Sequence, residues 1–298
     1  MKHEVTFWGV RGSIPSPGSD TAAVGGNTSC LEVRLGQELI LVDGGSGLRA
    51  FALSLPRGPV KATLLFSHYH WDHIQGVPFF VPLFHPDTHV TLYGPRGLRD
   101  VLSRQMSGPT FPVGMDALQA RIDYHVIEPG AAFNVGEVQV RTAALHHPGG
   151  AVAYRLDHGG CSVVYGLDHE HGDEAADERL VHLAAGADLQ IFDAMYLPDE
   201  YPQRVGWGHS TWEQAVKLAR RAGSRHLALT HHEPTRSDEA VADLEAAAQA
   251  EFAGVFAARE GESIALTGVP PVRPPAPSQE LPPVSSPPGQ LVSPEAAR

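Results

Sequence analysis

Short apolar runs rich in Val, Ile, Leu and Phe recur along the chain, punctuated by Gly, Pro and Asp. That pattern predicts buried strands bounded by turns. Residues 4–10, 30–35, 39–42 and 62–66 read as the first four strands. Residues 90–93, 122–127 and 137–145 follow, and 152–156 with 162–165 form a hairpin through Asp157-His158-Gly159-Gly160. Residues 189–192, 226–230, 255–257 and 263–266 complete the set. Helical spacing lies between them. A helix over about 47–55 is stopped by Pro56, another covers 96–106, and 174–185 ends at Gly186, a good left-handed stop. Ser210 and Glu213 form a capping-box pattern for a helix closed by Gly223. A last amphipathic helix, about 237–252, begins at Ser237 and closes at Gly254. Strands alternating with helices predict an α/β fold. From Gly268 the pattern stops: residues 268–298 hold ten of the 25 prolines and almost no large apolar groups. Such a segment buries too little surface to offset its ordering entropy, and is expected to be a disordered tail after a single domain over 1–267.

Chemistry gathers where the strands end. Directly after Ala62–Phe66 comes Ser67-His68-Tyr69-His70-Trp71-Asp72-His73, three imidazoles and a carboxylate within six positions. Neutral imidazole and carboxylate suit zinc, manganese or iron. Further strand ends deliver His147 or its neighbour His146, then Asp168, then His231 or its neighbour His232. Seven ligands are too many for one four-coordinate ion but suit two metals sharing a bridging carboxylate. Such a pair can clamp both oxygens of a phosphoryl transfer and lower the pKa of a bridging water. Asp43, ending 39–42, is expected to hydrogen-bond loop backbone beside the site rather than ligate. His209 stands just before the helix opened by Ser210, where free N–H groups and the helix dipole favour an anion. His169 and His171 read as supporting or exposed loop residues. The Gly/Pro/Ser loops at 11–18 and 25–29 border a site or are plain connecting turns.

Composition narrows the picture. The chain has 298 residues, 42% of them hydrophobic, and no apolar run of the roughly 20 residues that a membrane span needs. The N-terminus enters a strand at once without a signal-peptide apolar region. Only Cys30 and Cys161 are present, so no disulfide framework is implied and a cytoplasmic location is expected. A formal charge of −12 disfavours a generic polyanion-binding surface, and stable nucleic-acid binding is not expected. It leaves room for a small anionic substrate, because a metal pair supplies local positive charge. Seventeen histidines exceed what a fold needs.

His68-Tyr69-His70-Trp71-Asp72-His73 resembles the HxHxDH signature of the metallo-β-lactamase fold, and Asp43-Gly44 resembles its early Asp-Gly turn. The resemblance runs from residue 5 to about 266. It implies a four-layer αββα sandwich with the metal site at one edge of the two sheets. It also implies that His68, His70 and His147 hold one metal, that Asp72, His73 and His231 hold the other, and that Asp168 bridges them. The preference for His147 over His146, and for His231 over His232, comes from the resemblance alone; His232 is then a supporting or exposed residue. Gly208-His209-Ser210-Thr211, followed by a helix and Leu229-Thr230-His231, is similar to ribonuclease Z and its phosphodiesterase relatives. There the equivalent histidine contacts the scissile phosphate and helps the leaving oxygen depart. Phe7–Ser13, Gly25–Cys30 and His70–Gly76 look most like a bacterial cyclic-nucleotide-phosphodiesterase-like group.

The implied activity is a phosphodiesterase using two divalent metal ions, zinc before manganese or iron. It acts on a small or cyclic nucleotide, with a metal-bridging hydroxide as nucleophile and Asp72 and His209 as catalytic residues. A ribonuclease Z-like tRNA 3′ endonuclease is the alternative, placed lower because residues 76–146 offer no Gly/Lys-rich arm. A thioester or lactam hydrolase comes after it. A homodimer is what ribonuclease-Z-like relatives suggest.

Overall fold

A computed structural model describes residues 2–267, and the segment expected to be a disordered tail lies outside the described residues. Fourteen strands form two sheets of seven among those residues. In the first, β1 (Lys2–Gly9), β2 (Cys30–Gly36) and β3 (Glu38–Val42) make an antiparallel meander. From β3 the sheet continues in parallel through β4 (Lys61–Leu65), β5 (His89–Gly94) and β6 (Arg121–Val126). The second sheet repeats the scheme. There β7 (Ala132–Val135), β8 (Val138–Leu145), β9 (Ala151–His158) and β10 (Cys161–Gly166) are antiparallel. Parallel strands β11 (Leu189–Asp193), β12 (His226–Thr230) and β13 (Val255–Ala257) follow. The last strand, β14 (Ser263–Ala265), returns to pair with β1.

The inner faces of the two sheets pack together through Val5, Phe7, Val33, Ile40, Val42, Tyr154, Leu156, Val163 and Ile191, all essentially without exposure. Helices α4 (Glu174–Ala184), α5 (Trp212–Ala222) and α6 (Asp238–Glu251) cover the outer face of the second sheet, with Leu180, Val216 and Leu244 in that layer. The outer face of the first sheet is covered by α1 (Gly47–Ser54), α3 (Leu98–Gln105) and the short turns around α2 (Trp71–Ile74), through Leu48, Phe51, Phe80 and Leu102. The result is the expected helix–sheet–sheet–helix sandwich. No described helix is long and apolar enough to cross a membrane.

Two local expectations need correction. Strand β7 was not foreseen. It is a four-residue edge strand whose only strong signal is the turn at Gly136, which has a φ of 55°. The cap of α5 is Thr211, whose side chain accepts from Gln214 N, and not Ser210. Ser210 is fully buried and donates its hydroxyl to His169 O at 2.6 Å. Thr211 and Gln214 carry the same capping-box spacing one residue later, and the bond of Ser210 Oγ to His169 O takes that hydroxyl away from the cap. His209 thus stands two residues before the cap.

Candidate metal centre

Because strands β3, β4, β10, β11 and β12 run parallel within their sheets, their C-terminal ends face one edge, where α/β folds gather ligands. Asp43, the His68–His73 segment, Asp168, Asp193 and His231 all follow such ends, and His147 follows the end of β8. Three of these residues take left-handed backbone, with φ of 61° at Asp43, 59° at Asp168 and 59° at His231. Asp and His tolerate that region better than most residues, yet each costs on the order of 1 kcal/mol. The reversal ends the strand and aims the side chain inward.

The hydrogen bonds behind the cluster fix which imidazole nitrogens face the centre. Asp43 Oδ1 accepts from Ser67 N at 2.8 Å, and its Oδ2 accepts from Ser67 Oγ, Tyr165 Oη and His73 Nδ1 at 2.8, 2.7 and 2.7 Å. His73 therefore carries a proton on Nδ1, and in its neutral, ligating form Nε2 is a bare lone pair. With its hydroxyl proton given to Asp43, Ser67 Oγ accepts from His68 Nδ1 at 3.0 Å, and His68 Nε2 is bare in turn. His147 Nδ1 donates to Gly208 O at 2.8 Å, again leaving Nε2 free to ligate.

These bare nitrogens converge on one carboxylate. Asp168 Oδ2 lies 3.5 Å from His68 Nε2 and 3.4 Å from His147 Nε2, while Oδ1 lies 3.2 Å from His73 Nε2 and 3.3 Å from His231 Nε2. His70 Nδ1 is 3.0 Å from His147 Nε2, and Asp72 Oδ2 is 3.3 Å from His73 Nε2 and 3.2 Å from His231 Nε2. His68 Nε2, His73 Nε2 and Asp168 Oδ1 are buried with no hydrogen-bond partner. Lone pairs facing carboxylate oxygens repel unless cations stand between them, so this donor set fits metal ions. Among the described residues, three groups have ligand atoms within 4.8 Å of one another: His68/His70/His147/Asp168, Asp72/His73/His231, and Asp168/Asp193/His209/His231. The first two take the seven expected residues, with an Asp168 oxygen turned to each, while in the third the His209 Nδ1 is already engaged by Asp193 Oδ2 at 2.7 Å. All seven residues expected from the sequence are brought together.

Charge follows geometry. Burial pushes the His68 imidazole well down, and burial lowers His147 too. Burial alone would raise Asp168 and Asp72 and lower His73, but charge pairing wins: the carboxylates hold His73 well above its ordinary value and the charged histidines hold both carboxyls well below theirs, the part that bound cations would take over. His146 instead turns its Nδ1 to Glu170 O at 3.1 Å. His232 is wholly buried against Ala258 O, so it is a packed residue and not an exposed one. His169 is likewise buried, its Nε2 on Asp177 Oδ1 at 2.7 Å, while His171 reaches Ser210 Oγ at 3.2 Å.

His209 is buried at the rim of the cluster, its ring stacked on His231 with centroids 5.0 Å apart. Its Nδ1 meets Asp193 Oδ2 at 2.7 Å. Burial would depress its pKa, but Asp193, with Asp168 and Asp72 behind it, raises it to about 9. The sequence reading missed Asp193, although it ends β11 as Asp43 and Asp168 end or follow their strands. It also missed Glu170, whose carboxylate accepts from Gly206 N and Gly208 N at 2.6 and 2.8 Å and from Tyr201 Oη at 3.0 Å. Glu170 thereby ties down the loop that carries His209 and the carbonyl that orients His147; no local sequence signal marks it.

Comparison with known proteins agrees with this architecture. Residues 38–232 match the model of a beta-lactamase superfamily domain. Ribonuclease Z of Mycolicibacterium gilvum is 29% identical over 257 residues, covering 78% of this chain and 85% of its own. Ribonuclease Z of Lactococcus lactis is 26% identical over 279 residues, covering 76% and 88%. Among solved structures, a diphosphatase from the PhnP family superposes with a TM-score of 0.68 at 20% identity, covering 89% of this chain and 100% of that one.

Proposed function

We propose that this chain, which belongs to the beta-lactamase superfamily and is a metal-dependent hydrolase, hydrolyses phosphodiesters at a two-metal centre. His68, His70 and His147 are assigned to one ion, Asp72, His73 and His231 to the other, and Asp168 to both. The observation that carries this is the division of the two Asp168 oxygens between two imidazole groups. Two bound divalent ions would supply Lewis-acid neutralisation of phosphoryl charge and a lowered water pKa.

The chain's own residues do the rest. Asp43, Ser67 and the Gly208 carbonyl hold the imidazoles in the ligating tautomer. His209, charged through Asp193, donates its Nε2 proton to the departing oxygen. Asp72, fixed by Ser13 N at 2.8 Å, is assigned as a ligand that orients the attacking water and accepts its proton. A carboxylate that is also a ligand is a weak base, so orientation is the larger part of its effect.

A small phosphodiester, such as a cyclic nucleotide, is the substrate this reading favours, in keeping with the charge of −12. The curated relatives named Ribonuclease Z support a second reading, cleavage of a tRNA 3′ trailer by the same centre. One preparation, metal-loaded, is assayed on bis(p-nitrophenyl) phosphate, cyclic mono- and dinucleotides, and a precursor tRNA. Turnover of the chromogenic diester that is lost in His68→Ala is required by both readings. Trailer release at nanomolar enzyme with inert cyclic nucleotides selects the second, and the converse selects the first. Hydrolysis of a thioester or lactam with all phosphodiesters untouched refutes both. Zinc as the native metal, a homodimer and a cytoplasmic location belong to the same proposal, the first two checked by metal analysis and sedimentation.

A further inference from the structure

Beside the candidate centre lies a cavity of about 530 Å³ that the chemistry above does not use. Its wall begins inside the ligand segment itself. Tyr69 and Trp71 line it, alternating along the chain with the ligands His68, His70 and Asp72. Consecutive Cα atoms are about 3.8 Å apart, so the cavity wall includes direct chain neighbours of three proposed ligands. Both His70 and Trp71 are exposed there, and Trp71 retains 73% of its surface. Phe79 and Phe111 form the far wall as an edge-to-face pair with centroids 5.6 Å apart, and Phe79 is itself 49% exposed. Three large aromatic groups clustered at a polar site with this much exposure are unusual unless something flat covers them.

The polar members of the wall sharpen the choice. Gln105 donates Nε2 to Ile74 O at 2.9 Å, which fixes the amide in the wall. Arg104, in the last turn of α3, contributes a cation to an otherwise acidic chain. Tyr69 is pinned by its hydroxyl to Pro95 O at 2.5 Å, so this part of the wall is rigid. An alkyl chain would ask for an aliphatic tunnel. Aromatic faces beside a guanidinium ask instead for a flat heterocycle carried on a phosphorylated sugar.

We propose that this cavity is a nucleobase subsite, which makes the substrate a nucleoside-bearing phosphodiester whose base lies against Trp71, Phe79 and Phe111. The proposal rests on the phosphodiesterase reading for its substrate, though binding of the base does not depend on turnover.

The test compares two esters with one leaving group, the p-nitrophenyl phosphodiester of thymidine 5′-phosphate and methyl p-nitrophenyl phosphate. In Phe111→Ala and Phe79→Ala, KM for the nucleoside ester rises about ten- to a hundredfold more than KM for the methyl ester, the loss that stacking on one aromatic ring implies. Equal effects on both esters overturn the subsite. Independently of catalysis, calorimetry follows adenosine and thymidine 5′-monophosphates binding to the metal-loaded wild type, with the same weakening in both variants. Absence of wild-type binding, or equal binding of an alkyl phosphate, also overturns it. If neither ester is hydrolysed while monophosphates bind in a Phe111-dependent way, the subsite stands and the phosphodiesterase reading falls.

Discussion

Replacing Asp193 by Asn keeps the size of the side chain and removes its charge. Asp193 Oδ2 sits 2.7 Å from His209 Nδ1 with both residues buried, so the bond is charge-assisted and poorly screened. Bonds of that kind contribute roughly 1.5–3 kcal/mol, which is about a 10- to 100-fold change in rate if the transition state uses it in full. The loss depends on the leaving group. A p-nitrophenolate leaves without a proton, whereas an alkoxide from a sugar needs one. Asp193→Asn is therefore expected to slow release of an alkyl or ribose oxygen by about 10- to 100-fold and p-nitrophenolate release by about threefold or less. The sign of the pH effect follows from the raised pKa of His209, about 9. The acid form persists to that pH in the wild type, so kcat on an alkyl ester falls only above it. In the variant the same fall moves down toward the ordinary histidine value. Steady-state kinetics on the two esters across pH 6–10, with metal content measured in parallel, makes the check. Equal losses on both esters, or loss of bound metal, would refute the assignment of His209 as the proton donor.

Four further outcomes follow from the same geometry. Asp168→Ala is expected to lower bound metal from two ions per chain to one or none by elemental analysis, because both groups lose a ligand. Asp43→Asn should weaken metal affinity about 10- to 100-fold in chelator competition while leaving all seven ligands in place. Glu170→Gln, which exchanges charge-assisted bonds to Gly206 N and Gly208 N for neutral ones, should lower the melting temperature by a few degrees and activity more than tenfold. Thr211→Ala should cost about 1 kcal/mol in chemical denaturation through loss of the α5 cap, an effect the Ser210/Glu213 register would have assigned to Ser210.

The elements of the sandwich were legible where one signal dominated. Apolar runs ending in Asp or His gave β3, β4, β10 and β12 together with what they carry, because a parallel strand must end at the sheet edge that collects ligands. The edge strand β7 was not legible, since four residues around Phe133 carry too short a period to distinguish from loop. Ligand identity at His147 and His231 was open on spacing, and came only from resemblance. The fold separates each pair sterically, burying His232 against Ala258 O and turning His146 to Glu170 O. Asp193 carried the same strand-end signal as Asp43 and went unread. Glu170 works through backbone N–H groups more than thirty residues away, and nothing in its neighbourhood announces such a partner. The sequence also gives no sign that Asp43, Asp168 and His231 share left-handed backbone.

The proposed ligands are split between the sheets. His68 to His73 hang from the first, and His147, Asp168 and His231 from the second. Neither sheet alone holds a complete ion site, so metal occupancy acts as a gauge of how the two sheets are docked. Ligand distances tolerate about 0.2 Å, whereas a repacked core shifts by more than that. A methylene lost at Ile40, Val42 or Ile191, all between the sheets, would loosen the ions before it loosens the strands. Damage far from the reacting atoms would then appear first as a protein that is fully folded, spectroscopically unremarked, and slow.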